Sequence, residues 1–236
     1  MARALAAVAA VAAAALAVAV ATSVPARAAA RAAVPDAARP ASAAPPFRGG
    51  IAPLTAAQRA AMTPSAWRPG CPVALAGLRS VRVTHWGFDG RVREGRLVVH
   101  RDVAPRVLAI LRRLYALRFP IRRLEPIEAY GGSDFRSIEA DNTSAFNCRT
   151  VDGTRRWSEH AYGRALDLNP IENPYVTGDG TSSHAASRPY LDRSRARPGM
   201  VRAGDAVALA FAAAGFGWGG SWPGAKDYQH FSSSGR

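Results

Sequence analysis

Residues 158–170 read SEHAYGRALDLNP. The stretch begins with polar residues and a glycine, as a turn does. It ends in Ala165, Leu166 and Leu168 around Asp167, a short strand stopped by Pro170. A strand of that composition is buried. A buried carboxylate is costly unless a cation or hydrogen bonds compensate it. Asp167 therefore needs a partner, and His160 stands seven residues before it. The chain has five histidines, so partners are scarce. Another is His230, in DYQHFS (residues 227–232), which reads as a last strand and carries Asp227 three residues ahead of the histidine.

The elements around this stretch alternate between helical and extended patterns. LTAAQRAAMTPSAW (54–67) reads as a short helix ended near Pro64. LRSVRVTHWGF and GRLVVH alternate apolar and polar residues around Asp89–Gly90, which is strand and hairpin chemistry. Val103, Val107, Ile110, Leu111, Leu114 and Leu117 recur at helical spacing, with Asp102 near the start and Pro120 past the end. IRRLEPIEAY (121–130) is expected as a strand, residues 171–200 as a long surface loop, and GDAVALAFAAAGF as a second amphipathic helix. There is no regular strand–helix alternation. The expectation is an α+β domain with a small antiparallel sheet and flanking helices.

The N-terminus does not belong to that domain. Arg3 precedes an uncharged Ala/Val/Leu run, and small residues lead to ARA at 26–28, the pattern of a secretory signal peptide over residues 1–28. An uncleaved segment would instead be a membrane anchor. Residues 29–50 are rich in Ala, Pro and Arg and have few large apolar side chains. Such a segment cannot offset its ordering entropy by burial, and a disordered linker is expected. That leaves residues 51–236 for one domain. The protein is expected outside the cell, secreted or associated with the cell wall.

The formal charge is +14, with one lysine, Lys226, among 31 basic residues. Alanine and arginine bias makes a solvated arginine surface the plain reading; attraction to a wall polyanion is the functional one. No basic stretch is interleaved with aromatics, and no nucleic-acid partner is expected. Cys71 and Cys148 make an even pair, and an oxidising compartment allows one disulfide. It would be worth roughly 3–5 kcal/mol in the chain-entropy picture. The alternative, a pair of zinc ligands, has no C-x-x-C spacing behind it.

Two imidazoles and two carboxylates in a domain poor in histidine suit zinc. Imidazole nitrogen and carboxylate oxygen are its usual ligands besides thiolate, and a catalytic site leaves one position to water. The second carboxylate is then free to act as general base. His160 and Asp167 reach one metal if the chain turns at Gly163.

The chain resembles the M15 peptidases, the zinc-dependent D-alanyl-D-alanine carboxypeptidase and L-alanyl-D-glutamate endopeptidase group. Ser158, His160, Gly163, Ala165 and Asp167 meet the pattern S-x-H-x-x-G-x-A-x-D. Asp227 and His230 meet the later acid-x-x-His motif, and YGGSDFRS is similar to the S-G-Y-R-S segment. The resemblance spans about residues 75–232. It implies His160, Asp167 and His230 as ligands of Zn2+ and Asp227 as the base, an aspartate as in the endopeptidase-like branch. It also implies Arg136 as the residue that polarises the scissile carbonyl or holds a substrate carboxylate.

Ser158 and Trp222 are expected at the substrate groove, although core packing explains Trp218 and Trp222 equally well. His184, in a Gly/Ser-rich loop, is expected at the surface. His85 and His100 are expected to be structural or exposed. The partners implied are peptidoglycan stem peptides, and the chain is expected to act as a monomer. Two other functions fit part of the sequence: a non-catalytic wall-binding module that keeps the metal for structure, and a secreted domain with incidental histidines. The first would be expected to lose the base, and Asp227 is present.

Overall fold

The structure, a computed structural model, describes residues 44–236. The expected signal peptide and residues 29–43 of the expected linker lie outside the described residues. The end of that linker is ordered. Phe47 packs on the main core, and Gly49–Pro53 forms strand β1. Arg48 N–H donates to the Thr84 hydroxyl and Thr84 N–H to the Arg48 carbonyl, so this stretch is held by its contacts with β2 and not by its own composition.

Helix α1 (Ala56–Met62) starts at a capping box, Thr55 with Gln58. Each side chain takes up a backbone N–H that the first turn leaves free. Strands β2 (Leu78–Trp86) and β3 (Val92–His100) pair antiparallel from Leu78↔His100 to Trp86↔Val92, and β1 adds to β2. Helix α2 (Ala104–Ala116) lies on this sheet. Its Val107, Ile110, Leu111 and Leu114 stripe meets Val81, Val83, Leu97 and Val99 in the main core. Full burial of each such side chain contributes about 1.5–3 kcal/mol.

The expected strand over 121–130 is mostly absent. Only β4 (Arg123–Leu124) is extended. Pro126 lacks the N–H a longer ladder needs, and Ile127–Tyr130 turns into a 3-10 helix. Helix α3 (Asp134–Glu139) follows, then β5 (Asn142–Thr143), which runs parallel to β4. After β6 (Ala165–Asp167) and β7 (Tyr175–Val176) comes α4 (Ala206–Ala213). Strands β8 (Gly217–Trp218), β9 (Lys226–Asp227) and β10 (His230–Ser232) close the domain. The second sheet has the order β6-β10-β8, and β7 pairs separately with β9. The α+β class therefore holds, but the single antiparallel sheet gives way to two three-stranded sheets, a parallel pair and a further antiparallel pair.

Residues 171–200 are not simply a surface loop. Glu172 and Asn173 are buried. Arg193 donates to the carbonyls of Glu172 and Val201 and to Asn173 Oδ1, satisfying backbone that no sheet covers. Cys71 and Cys148 form a disulfide with a Cα separation of 5.9 Å. It belongs to a second core with Leu54, Met62, Leu78 and Phe146. Among the described residues no helix is long and apolar enough to cross a membrane.

Candidate active site

The second sheet explains Asp167. Strand side chains alternate between faces. In the β6–β10 ladder Phe231 stands opposite Leu166, and His230 opposite Asp167. Phe231 is fully buried and stacks on Phe211 of α4, centroids 3.7 Å apart. That face is core. The other face carries Asp167 and His230 together.

His160 arrives from the preceding turn. Ser158 Oγ accepts from the His160 N–H at 3.3 Å and caps a 3-10 helix, Glu159–Tyr162. Gly163 ends that helix at φ 67° in the left-handed region. A Cβ there would also lie 2.7 Å from the His100 nitrogen. The sharp turn folds His160 back over β6.

The three side chains close a small triangle. His160 Nε2 is 3.2 Å from His230 Nδ1 and 3.2 Å from Asp167 Oδ2. His230 Nδ1 is 3.2 Å from Asp167 Oδ1. Zinc bonds of about 2.0–2.2 Å in a tetrahedron set ligand atoms about 3.3–3.6 Å apart, so the spacing suits such an ion. The far nitrogens are also committed. His160 Nδ1 donates to the Ala145 carbonyl at 2.6 Å, and His230 Nε2 to the Arg236 carbonyl at 3.0 Å. Each bond fixes the tautomer that turns a lone pair inward, the usual support of a metal-binding histidine.

The electrostatics agree. Burial alone would raise Asp167, but the charges and hydrogen bonds of His160 and His230 outweigh it and hold the carboxyl well below its usual range. Burial opposes charge on His230, yet Asp167 and then Asp227 overcome it and raise the imidazole to about 9. The cluster is built around positive charge.

Asp227 enters from β9. Side chains three apart in one strand face opposite ways, and here the ladder breaks between β9 and β10. Tyr228 N–H donates to the Pro174 carbonyl at 3.2 Å, and Trp218 Nε1 to the Tyr228 carbonyl at 2.8 Å. The Arg193 guanidinium lies 4.3 Å from the Tyr228 ring centroid. Asp227 then shares the cleft with His230. Its Oδ1 is buried with no hydrogen-bond partner among the described residues. Burial, followed by the charge of Asp167, pushes its carboxyl up to about 7. Gly219 presses on it from behind: a Cβ there would meet the Asp227 carbonyl oxygen at 2.5 Å.

These groups sit in a cleft of about 660 Å³. Ser158 and Trp222 line it. The Ser158 hydroxyl serves as the cap just described. Trp222 packs 5.4 Å from the His230 ring, with its Nε1 donating to the Gly235 carbonyl. Trp218 stacks on Phe231 in the core.

Arg136 corrects the sequence-based expectation. Asp134, Phe135 and Ile138 of α3 line the cleft, and Arg136 does not. At 100° per residue those three occupy one arc of the helix, and Arg136 lies about 100° beyond its edge. Its guanidinium folds towards Gly131. The cleft arginine on that side is Arg149, next to the disulfide. Its Nη2 pairs with Asp134 Oδ2 at 2.9 Å, and its Nε is buried without a partner among the described residues. Burial raises the Asp134 carboxyl despite that arginine. The signal available for Arg149 was its place after Cys148, which the bridge pins beside the site.

His184 also differs from expectation: it is buried and lines the cleft. His85 and His100 lie away from the cleft. His85 is buried, and His100 pairs with Asp102 at 3.0 Å.

Residues 152–233 match the model of the M15 peptidase family described as D-alanyl-D-alanine carboxypeptidase. This stretch of the chain is similar to the M15 peptidases. The matched stretch contains His160, Asp167, Asp227 and His230, while α3 and Arg149 precede it. Among curated proteins and among solved structures, none matches the chain.

Proposed function

We propose that the protein is an exported zinc peptidase that hydrolyses peptide bonds in peptidoglycan stem peptides, of the D-Ala–D-Ala carboxypeptidase or L-Ala–D-Glu endopeptidase type. The observation that carries this reading is the triangle of His160, Asp167 and His230, its two imidazoles fixed by backbone carbonyls, beside the buried carboxylate of Asp227, whose Oδ1 has no partner among the described residues.

The donor set fits zinc. His160 would hold it through Nε2, His230 through Nδ1 and Asp167 through its carboxylate. Bound there, zinc would supply Lewis acidity to a water and to the scissile carbonyl. The remaining work falls to the chain. Asp227 accepts a proton at its carboxylate from the attacking water and returns one to the leaving amine. Arg149 offers its Nε, which has no partner among the described residues, to a substrate carbonyl or carboxylate. Trp222 and the α3 wall exclude bulk water and orient the peptide. The cleft volume is within the range of sites that enclose a small peptide. Wall peptides reach such a site only outside the membrane, which agrees with the signal pattern at residues 1–28.

Metal-loaded protein should be incubated with purified peptidoglycan and the fragments weighed by mass spectrometry, with a chelator control. Release of D-alanine identifies the carboxypeptidase type, and new N-terminal D-glutamate the endopeptidase type. Intact wall after incubation with metal-loaded protein rejects the reading.

A further inference from the structure

Four large apolar side chains are exposed among the described residues: Ile51, Phe135, Tyr175 and Leu209. Phe135, at 58%, and Tyr175, at 45%, both line the cleft that holds the metal triangle. Phe135 is also braced. The His184 ring packs on it with centroids 4.8 Å apart at 36°, and Glu139 Oε1 lies 2.5 Å from His184 Nδ1. Phe135 and Glu139 both belong to α3, so the brace closes back on one helix. Tyr175 stands opposite Asp227 in the β7–β9 pair. Residues paired across strands project to the same face, which puts the Tyr175 ring on the approach to Asp227. Exposed aromatic surface gathered at one cleft marks a ligand face.

The polar groups around these rings favour neither sign of charge. Asp134, Asp152 and Glu159 line the cleft against Arg149, Arg156 and Arg236, and Asp134 is already paired with Arg149 at 2.9 Å. Asp167 and Asp227 face the metal position. The hydroxyls of Ser182 and Ser183 lie on the same wall as His184. With its Nδ1–H given to Glu139, His184 presents an acceptor at Nε2 when neutral and a donor when charged. A hydroxyl, which both donates and accepts, satisfies it in either state.

We propose that Phe135, braced by His184 and faced by Tyr175, is a platform for a sugar ring of the glycan that carries the stem peptide. A pyranose has an apolar face of C–H groups and a rim of hydroxyls. The face covers the aromatic ring, and the rim meets His184 and the two serines. His184 and Glu139 are positioning residues for Phe135.

The platform deepens the peptidase reading of the cleft, and its test does not depend on hydrolysis. The probe is a peptide-free tetrasaccharide of the N-acetylated wall sugars, which a peptidase cannot cut. Saturation-transfer NMR on the full chain should show transfer to the ring C–H protons, and titration should saturate. Phe135→Ala should weaken binding by about five- to tenfold, the worth of covering part of an aromatic face. Phe135→Tyr keeps a ring and should bind as the wild type does. His184→Ala keeps the ring without its brace and should fall between. Because Phe135 is largely exposed, its removal leaves the core intact. No transfer with the wild type overturns the platform, and so does unchanged affinity in Phe135→Ala. Hydrolysis of purified wall material, run alongside, judges the peptidase reading by itself. Fragments released without glycan binding reject the platform alone. Glycan binding without fragments rejects the peptidase and leaves the platform standing.

Discussion

Asp227 and the two histidines make different demands on a single substitution. Asp227 is not one of the three residues of the triangle, but its carboxylate is buried in the same cleft with one oxygen unpartnered among the described residues. Asp227→Ala should therefore keep zinc near stoichiometric and lower kcat by about 10²–10⁴-fold, the usual share of general acid–base assistance. Metal content and hydrolysis measured on one sample decide it, and loss of zinc with activity would make Asp227 a ligand. His160→Ala or His230→Ala removes one of three protein donors. Either variant should come out of dialysis without zinc. Full metal retention in either would sink the ligand assignment.

Among the elements, the turn after the first motif has the least freedom. Gly163 is left-handed at φ 67°, with the His100 nitrogen 2.7 Å from where a Cβ would sit. Gly163→Ala should lose about 1–3 kcal/mol in denaturant unfolding, from the backbone conformation and the clash together. An unchanged midpoint would mean that the turn relaxes freely. This element was legible in the sequence, because a glycine between a polar turn and an apolar strand has one common use. So were the β2–β3 hairpin and α2, each with one dominant period. The pairing of Asp167 with His230 was legible through the scarcity of histidine. The facing of α3 was not: Ser133 caps its start at Arg136 N–H, and that start sets which residues reach the cleft. Arg136 fits the motif by type, yet lies past the arc that Asp134, Phe135 and Ile138 share. His184 was misread for a related reason. Its burial depends on Glu139 and Phe135, more than forty positions away, and local Gly/Ser composition carries no trace of them. The strand expected at 121–130 failed at Pro126, where the ladder loses a donor.

At the scale of the whole molecule, two links hold the cleft's parts together. The Cys71–Cys148 bridge ties the segment before β2 to the backbone beside Arg149. The other link is a pair of acids. Glu172 follows β6 and is almost fully buried, with Oε2 lacking a partner among the described residues. Asp141, between α3 and β5, stands against it, and Arg122 lies 3.4 Å from Asp141 but 4.0 Å from Glu172. Burial, then the charge of Asp141, pushes the Glu172 carboxyl up to about 8 from an ordinary 4.5. The folded chain thus keeps a proton that the unfolded chain releases. Between those two values the native state binds more protons, so stability falls as pH rises. The contribution is complete below about pH 4.5 and gone above about pH 8. Glu172→Gln makes the neutral form permanent and can still donate to Asp141. Unfolding by urea at pH 5, 7 and 9, disulfide intact, should show the wild type losing stability relative to Glu172→Gln by an amount of the order of a few kcal/mol. The gap should open mainly between pH 5 and 8 and stay constant above. Parallel curves for the two proteins across that range would show that the Glu172 proton is not retained in the fold, and that Arg122 alone balances the pair.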